Sequence, residues 1–461
     1  MIELSLQEIT DAVSGELVVG DSQTKVSGSV STDSRELAQG DIFFAKLGAN
    51  DDGHNYLDDL AAKGISLAVV STPRLDLRIN QILVQDTVAA LAKLAEFVLN
   101  RLRPGGLKVI GITGSNGKTS TKSMLATMLA SVAPTLSPQG SYNNLVGLPL
   151  TVLRLTPEHK YLVLEYGAAG VGSISALSSW SKPDIAAILK VGLAHAGQWG
   201  GIEVTAKIKA ELAADAQSAV VLNADDPIVS GYQIPSRCKR LSFGFDGESV
   251  RVISAELSLL GTRVELEVSG TRLTANLKIL GEHHAMNLAA ALTIAAELGL
   301  DPKDAISSVE ELSYPERWRM QLTHTEGDYF VINDAYNASP DSMRAALQTL
   351  ATLGRQGHRT IAVLGFMAEL GSISNVEHDQ IGRLVVRYNI DKLFAVGEGA
   401  KLIHMGAMQE GSWDGESEYH ESISTAFDAI REKLRPGDVV LVKASNSTGL
   451  RFLGDDLAAT R

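Results

Sequence analysis

The sequence predicts an α/β protein of three domains: a small mixed α/β N-terminal domain, a central parallel-sheet, ATPase-like domain carrying a phosphate loop (P-loop), and a C-terminal Rossmann-like domain. The boundaries fall at 1–103, 104–313 and 314–461. Three observations carry this reading. The length of 461 residues suits about three domains. Short apolar runs alternate with helix-like segments in two separate stretches, which is the pattern of parallel sheets with crossover helices. A glycine-rich loop sits between one such run and a helix.

The first block ends in an apolar helical pattern, Val88 to Leu102, and Pro104-Gly105-Gly106 then reads as a linker. The second block opens with the buried-strand run Leu107–Ile112, followed by strands at Tyr161–Glu165, Ile185–Val191 and Ala219–Asn223. The third begins near Tyr314, with strands at Tyr329–Asn333, Thr360–Leu364, Lys392–Val396 and Asp438–Val442. The most apolar stretch, Ala285 to Leu300, is broken by Asn287, Thr293 and Glu297, so it reads as a buried helix and no membrane insertion is expected.

Composition narrows the function. Apolar residues make up 45% and charged residues 21%, an ordinary globular profile. A formal charge of −13 argues against nucleic-acid binding, which depends on clustered Lys and Arg. Cys238 is the single cysteine, which rules out an internal disulfide and any Cys-rich metal site. Met1-Ile2-Glu3-Leu4-Ser5 has neither the charge nor the apolar run of a signal peptide, so a cytoplasmic location is expected.

The strongest motif is Thr113-Gly114-Ser115-Asn116-Gly117-Lys118-Thr119-Ser120. It follows a strand and opens a helix whose apolar residues Met124, Leu125, Met128, Leu129 and Val132 recur at helical spacing. Glycines let backbone N–H groups approach phosphate oxygens, and the helix N-terminus adds partial positive charge. Lys118 can reach terminal phosphates, and the Thr119 hydroxyl can ligate Mg²⁺. The general phosphate-loop spacing would put its first glycine at Ile112, whereas the chain offers Gly111 and Gly114.

This shortened loop resembles the ATP loop of the Mur ligases, and further motifs follow in that family's order. Tyr142-Asn143-Asn144 with Gly147-Leu148-Pro149, Glu165 at a strand end, His195 after Val191-Gly192, and Lys209 in Ile208-Lys209-Ala210-Glu211 are similar to family segments. So are Gly281–Asn287, Arg319-Met320 and Asp334-Ala335-Tyr336-Asn337-Ala338-Ser339-Pro340. Ser31–Arg35 and Asp52-Gly53-His54 resemble the segment that holds a UDP sugar.

The resemblance implies an ATP- and Mg²⁺-dependent ligase that activates a carboxylate as an acyl phosphate for attack by an amine. Lys118, Lys209 and His195 would be catalytic. The nucleotide would lie on Gly114 to Ser120, Asn287, Arg319 and Asp334, and the metal on Thr119, Glu165, His195 and Lys209, the last as a carbamate. Ser34, Arg35, Asn143, Asn144, Tyr336 and Asn337 would bind substrate. The N-terminal block would hold the UDP sugar, the central block ATP, and the C-terminal block would close on the nucleotide and bind the acceptor. Together with Met367–Gly371, the Asp334–Pro340 segment points to the family member that joins D-Ala-D-Ala to UDP-N-acetylmuramoyl-tripeptide, acting as a monomer.

Other roles stay open at this level. Lys209 also suits a solvated helix lysine beside Lys207, Asp334 a turn, Arg319 a surface charge, and His195 a structural role. Ala169, Ser173, Lys190, His284, Phe366 and Asn446 depart from the family pattern. They leave room for a nucleotide-binding relative that has lost ligation, for another Mur-type amino-acid ligase, or for a folylpolyglutamate-type ligase.

Overall fold

A computed structural model describes the chain except residues 49–50, 139, 141, 193–199, 313–316, 412–414 and 460–461. The described residues form two compact units. One comprises Met1–Ile112, Val132–Ala186 and Ala214–Ala219; the other comprises Thr113–Ser131, Ala187–Ala213 and Val220–Arg461.

The first unit holds a five-stranded sheet in the order Glu16–Val19, Asn80–Leu83, Leu67–Val70, Ile42–Phe44, Val30–Ser31. Only its first pair is antiparallel. Leu67–Val70 is buried throughout, as a strand covered on both faces must be. The helix Thr87–Leu102 starts one residue before its predicted position, capped by the Asp86 carboxylate on the N–H groups of Val88 and Ala89. Arg103–Gly105 forms a tight 3₁₀ turn closed by Gly106, within the predicted linker. Arg103 anchors that turn by donating to the carbonyls of Ser181 and Lys182 at 2.7 Å each. Beyond it, Lys108–Thr113 runs parallel to Tyr161–Glu165, which in turn pairs with Thr135–Leu136.

In the second unit the helix Lys118–Ala130 packs on His284–Glu297, whose residues are buried on nearly every side. An antiparallel meander of Val250–Ser258, Gly261–Val268 and Thr271–Leu277 lies in the same unit. The sequence reading did not identify it, although Val264, Leu266 and Val268 alternate with Arg263, Glu265 and Glu267 as a half-buried strand requires.

The unit also carries a six-stranded sheet in the order Gln321–His324, Phe330–Asn333, Val439–Lys443, Thr360–Leu364, Lys392–Val396, Ser417–His420. All neighbours are parallel except the first pair. Apolar clusters cover both faces, with Leu347, Leu350 and Ile381 on one side and Ile430, Leu453 and Leu457 on the other. This mixed α/β architecture, with its separate parallel sheets, agrees with the predicted fold class.

Candidate nucleotide and ligation site

The phosphate loop turns from the end of its strand into a helix whose N-cap is Gly117. Gly117 has φ +85°, and a Cβ there would stand 2.5 Å from Asn287 Oδ1. Only glycine satisfies both the left-handed backbone and this close approach. Lys118 folds back over the loop, its ammonium donating to the Gly114 carbonyl at 2.7 Å and more weakly to Ser115 O at 3.4 Å. Ser115 ties the loop to a neighbouring segment. Its N–H donates to Lys190 O at 2.8 Å, and its hydroxyl accepts from Gly192 N–H at 2.9 Å. Thr119 is buried at the first turn of the helix, and Ser120 beside it is half-buried.

Asn287 reaches this loop from the buried helix. Thr121 Oγ1 donates to its Oδ1 at 3.4 Å, and its Nδ2 bonds His284 Nδ1 at 3.2 Å. Both histidines of the Gly281–Asn287 motif are held neutral. Burial lowers the His283 pKa to about 4, with the Asp334 carboxylate opposing and the Lys443 ammonium assisting that shift. Burial drives His284 well below the ordinary imidazole value, and the neighbouring His283 adds to the effect.

Asp334 stands at the carboxyl end of Phe330–Asn333, next to the end of Val439–Lys443, where Asn333 pairs with Val442. That register sets the Lys443 ammonium 2.6 Å from Asp334 Oδ2 and 3.0 Å from Asn337 O. Asp334 Oδ1 accepts from Met320 N–H at 3.1 Å. The carboxylate therefore does more than shape a turn. Lys443, 2% exposed at its side chain, was missed by the sequence reading. Its signal is an ionisable residue closing the apolar run Val439-Val440-Leu441-Val442 at a strand's carboxyl end, where open α/β sheets bind ligands. The Arg319 guanidinium lies 4.4 Å over the Tyr336 ring and is half-buried. Ser339, part of the Asp334–Pro340 motif but given no role of its own there, donates to Asn116 Oδ1 of the phosphate loop at 3.3 Å. The exposed Asn337 uses its own Oδ1 to accept from Ala338 N–H.

Lys209 is 3% exposed on the helix Ile202–Ala214, which removes the reading of a solvated surface lysine. His195 lies outside the described residues. Among the described residues no three His, Cys, Asp or Glu side chains gather into a metal cluster.

In the first unit Glu165 is 1% exposed at the end of its strand and accepts from Asn143 Nδ2 at 2.9 Å. Asn144 turns its Oδ1 onto the N–H groups of Val146 and Gly147, capping the following helix. Arg35 is clamped by Asp33 at 2.6 Å, which holds the Asp33 carboxyl down at about 2. Ser34 accepts from Lys63 through its carbonyl. His54 donates from Nδ1 to Asp52 and accepts the Ser71 N–H on Nε2 at 3.0 Å, an internal staple of this unit.

Of the positions that depart from the family pattern, Phe366 stacks on His378 with centroids 4.9 Å apart. It lines a cavity of about 400 Å³ at the carboxyl ends of the six-stranded sheet, with Glu398, Glu421, Ile423 and Leu450. Ala169 takes a backbone bond to the Ser173 hydroxyl at 3.0 Å, so these two residues shape a turn.

Comparison with known proteins supplies the frame for this site. The Mur ligase middle domain matches residues 112–295, the Mur ligase glutamate ligase domain 318–446, and the Mur ligase family catalytic domain 27–98. The UDP-N-acetylmuramoyl-tripeptide–D-alanyl-D-alanine ligase of Mycobacterium tuberculosis is 39% identical over 505 aligned positions, covering 100% of this chain and 98% of the relative. The Bacillus subtilis enzyme of the same name is 32% identical, covering 99% of each. Among solved structures, MurF from Acinetobacter baumannii superposes with a TM-score of 0.90 at 31% identity over 99% of each chain. MurF ligase from Thermotoga maritima, solved in complex with ADP, gives 0.83 at 26% identity over 94% of this chain and 97% of its own. With relatives of this identity aligned from end to end and three Mur models matched in order, the chain belongs to the Mur ligase family.

Proposed function

We propose that the protein is the ATP-dependent ligase that joins D-alanyl-D-alanine to UDP-N-acetylmuramoyl-tripeptide, a step in peptidoglycan precursor synthesis, working as a cytoplasmic monomer. The observation that carries this reading is the phosphate loop held against Asn287, in a chain whose relatives of that name align over its whole length. No described helix is long and apolar enough to cross a membrane.

Joining a carboxylate to an amine in water requires an activated acyl group. Transfer of the ATP γ-phosphoryl group to the substrate carboxylate breaks the bond to the ADP leaving oxygen and forms an acyl phosphate. The amine of the dipeptide then attacks the acyl carbon, loses a proton and displaces phosphate. The protein's part is placement and charge neutralisation. Lys118 leaves its loop carbonyls for the terminal phosphates. Asn287 lies against the base, Asp334 takes the ribose hydroxyls, and Arg319 clamps phosphate while resting on Tyr336. Ser34 and Arg35 hold the UDP moiety, with Asn143, Asn144, Tyr336 and Asn337 on the growing peptide.

The residues present fit Mg²⁺. The Thr119 hydroxyl and the Glu165 carboxylate, each buried in its own unit, are hard oxygen donors of the kind Mg²⁺ takes beside the waters and phosphates it keeps. Bound, the ion would neutralise charge between two anions that must meet. Lys209 carries no acceptor as an ammonium; as a carbamate it would offer anionic oxygens, in keeping with the metal role proposed for it and for His195. The cavity beside Phe366 combines apolar walls with the Glu398 and Glu421 carboxylates, a lining that suits a small zwitterion presenting its ammonium. Three domains with boundaries at 103 and 313 are part of the same reading.

The test is ADP release and product mass with ATP, Mg²⁺ and UDP-N-acetylmuramoyl-tripeptide, with each acceptor in turn. Sustained turnover is expected with D-Ala-D-Ala and only slow turnover without it. Preference for a single amino acid would move the protein to another ligation step. ATP binding without turnover on any acceptor would overturn the enzyme reading.

A further inference from the structure

In the buried helix His284–Glu297 the first residue stands where the family pattern carries Asn, and its ring is built into the nucleotide loop. His284 and Asn287 are three positions apart, so their side chains meet on one helix face. The contact is Asn287 Nδ2 to His284 Nδ1 at 3.2 Å. An amide nitrogen only donates, so Nδ1 must accept and the ring hydrogen must sit on Nε2. Among the described residues Nε2 is buried without a hydrogen-bond partner. No described group on that side selects the tautomer, which leaves the bond to Asn287 as its determinant.

The other end of the Asn287 amide is committed as well. Its Oδ1 accepts from Thr121 in the phosphate-loop helix and lies where a Cβ on Gly117 would stand 2.5 Å away. The ring itself has little freedom. It is 2% exposed and lies 4.3 Å from the His283 ring. His283 in turn packs over Gly281, whose φ is +120° and where a Cβ would meet that ring at 2.4 Å.

We infer that His284 is a positioning residue for the nucleotide: by accepting from Asn287 Nδ2 it fixes which end of that amide faces the phosphate loop. Without an acceptor at this place the amide is free to turn over, presenting an N–H to Thr121 and to the loop edge at Gly117. This inference rests on the nucleotide reading of the loop proposed above. The ring's burial keeps it neutral, so the acceptor is present throughout the working pH range of a cytoplasmic enzyme.

The experiment compares His284→Phe, His284→Asn and Asn287→Ala in the full-length protein, measuring thermal midpoint, ADP affinity by calorimetry, and kcat and KM for ATP. Phe keeps a ring of similar size and removes the acceptor; Asn restores an acceptor on a shorter side chain. The expected result for His284→Phe is about a tenfold rise in KM for ATP and in the ADP dissociation constant, with kcat within twofold. Tenfold is about 1.4 kcal/mol. His284→Asn should recover most of that affinity. A merely structural ring would instead lower the midpoint and kcat together, leave nucleotide affinity unchanged, and not be rescued by Asn; that result overturns the inference. Unaltered ADP affinity in folded Asn287→Ala would overturn the nucleotide reading itself. Weakened binding in Asn287→Ala with normal binding in His284→Phe would overturn only the positioning role.

Discussion

Replacing Lys443 by Met isolates the buried ion pair at the carboxyl end of the C-terminal sheet. Met keeps most of the side chain's length and volume, so the cavity contribution is small and the loss is electrostatic. Lys443 is 2% exposed and Asp334 15% at their side chains, with 2.6 Å between nitrogen and oxygen. Breaking a pair buried to this degree costs about 3–5 kcal/mol, because the remaining charge stays desolvated. Asp334 still accepts from Met320 N–H, which places the expected cost near the lower end, about 3 kcal/mol. That is a factor of roughly 10² in the folding equilibrium. The Asn337 carbonyl also loses its donor, so the Asp334–Pro340 segment should loosen and KM for ATP should rise. The assay is urea unfolding by tryptophan fluorescence, with the single variants Lys443→Met and Asp334→Asn and the double variant. The double variant should be more stable than Lys443→Met, since the stranded charge is gone. A loss below about 1 kcal/mol, or a double variant no better than the single, would refute the claim that the pair is buried and mutually dependent.

Gly117→Ala forces a Cβ into a left-handed backbone costing about 1–2 kcal/mol and drives it against Asn287; KM for ATP should rise at least tenfold with the fold intact, as circular dichroism and initial rates will report. Lys209→Ala should lose most activity, and short carboxylic acids should restore part of it by supplying oxygen where the proposed carbamate would stand; a variant at full activity removes that role. Stability should fall as pH drops from about 6.5 towards 4. His283 and His284 have folded pKa values below their unfolded ones, so the unfolded chain binds more protons in that window. Each contributes at most about 1.4 kcal/mol per pH unit, read as the difference in urea midpoint between the parent and His283→Asn across that range.

The parallel strands were legible because burial on both faces writes a continuous apolar run. Ala219–Asn223, Thr360–Leu364 and Lys392–Val396 have the predicted limits. Ile185–Ile188 ends three residues early, because the Leu189 carbonyl is taken by the Asn223 side chain instead of a continuing ladder. The antiparallel meander was harder to read, since its apolar residues alternate with charge and its turns, Leu259-Leu260 and Ser269-Gly270, are short. The phosphate loop announced itself because its chemistry needs glycine and lysine in sequence. Lys443 and Ser339 did not, because their partners lie 109 and 223 positions away and only the fold brings them together.

Lys118 holds a last consequence. Its ammonium lies on the Gly114 carbonyl, so a long side chain has surrendered much of its rotamer freedom. Ordering such a chain costs up to about 2 kcal/mol. Here that cost belongs to folding, and in the role proposed for Lys118 the ammonium would reach a phosphate by giving up a hydrogen bond that it already makes.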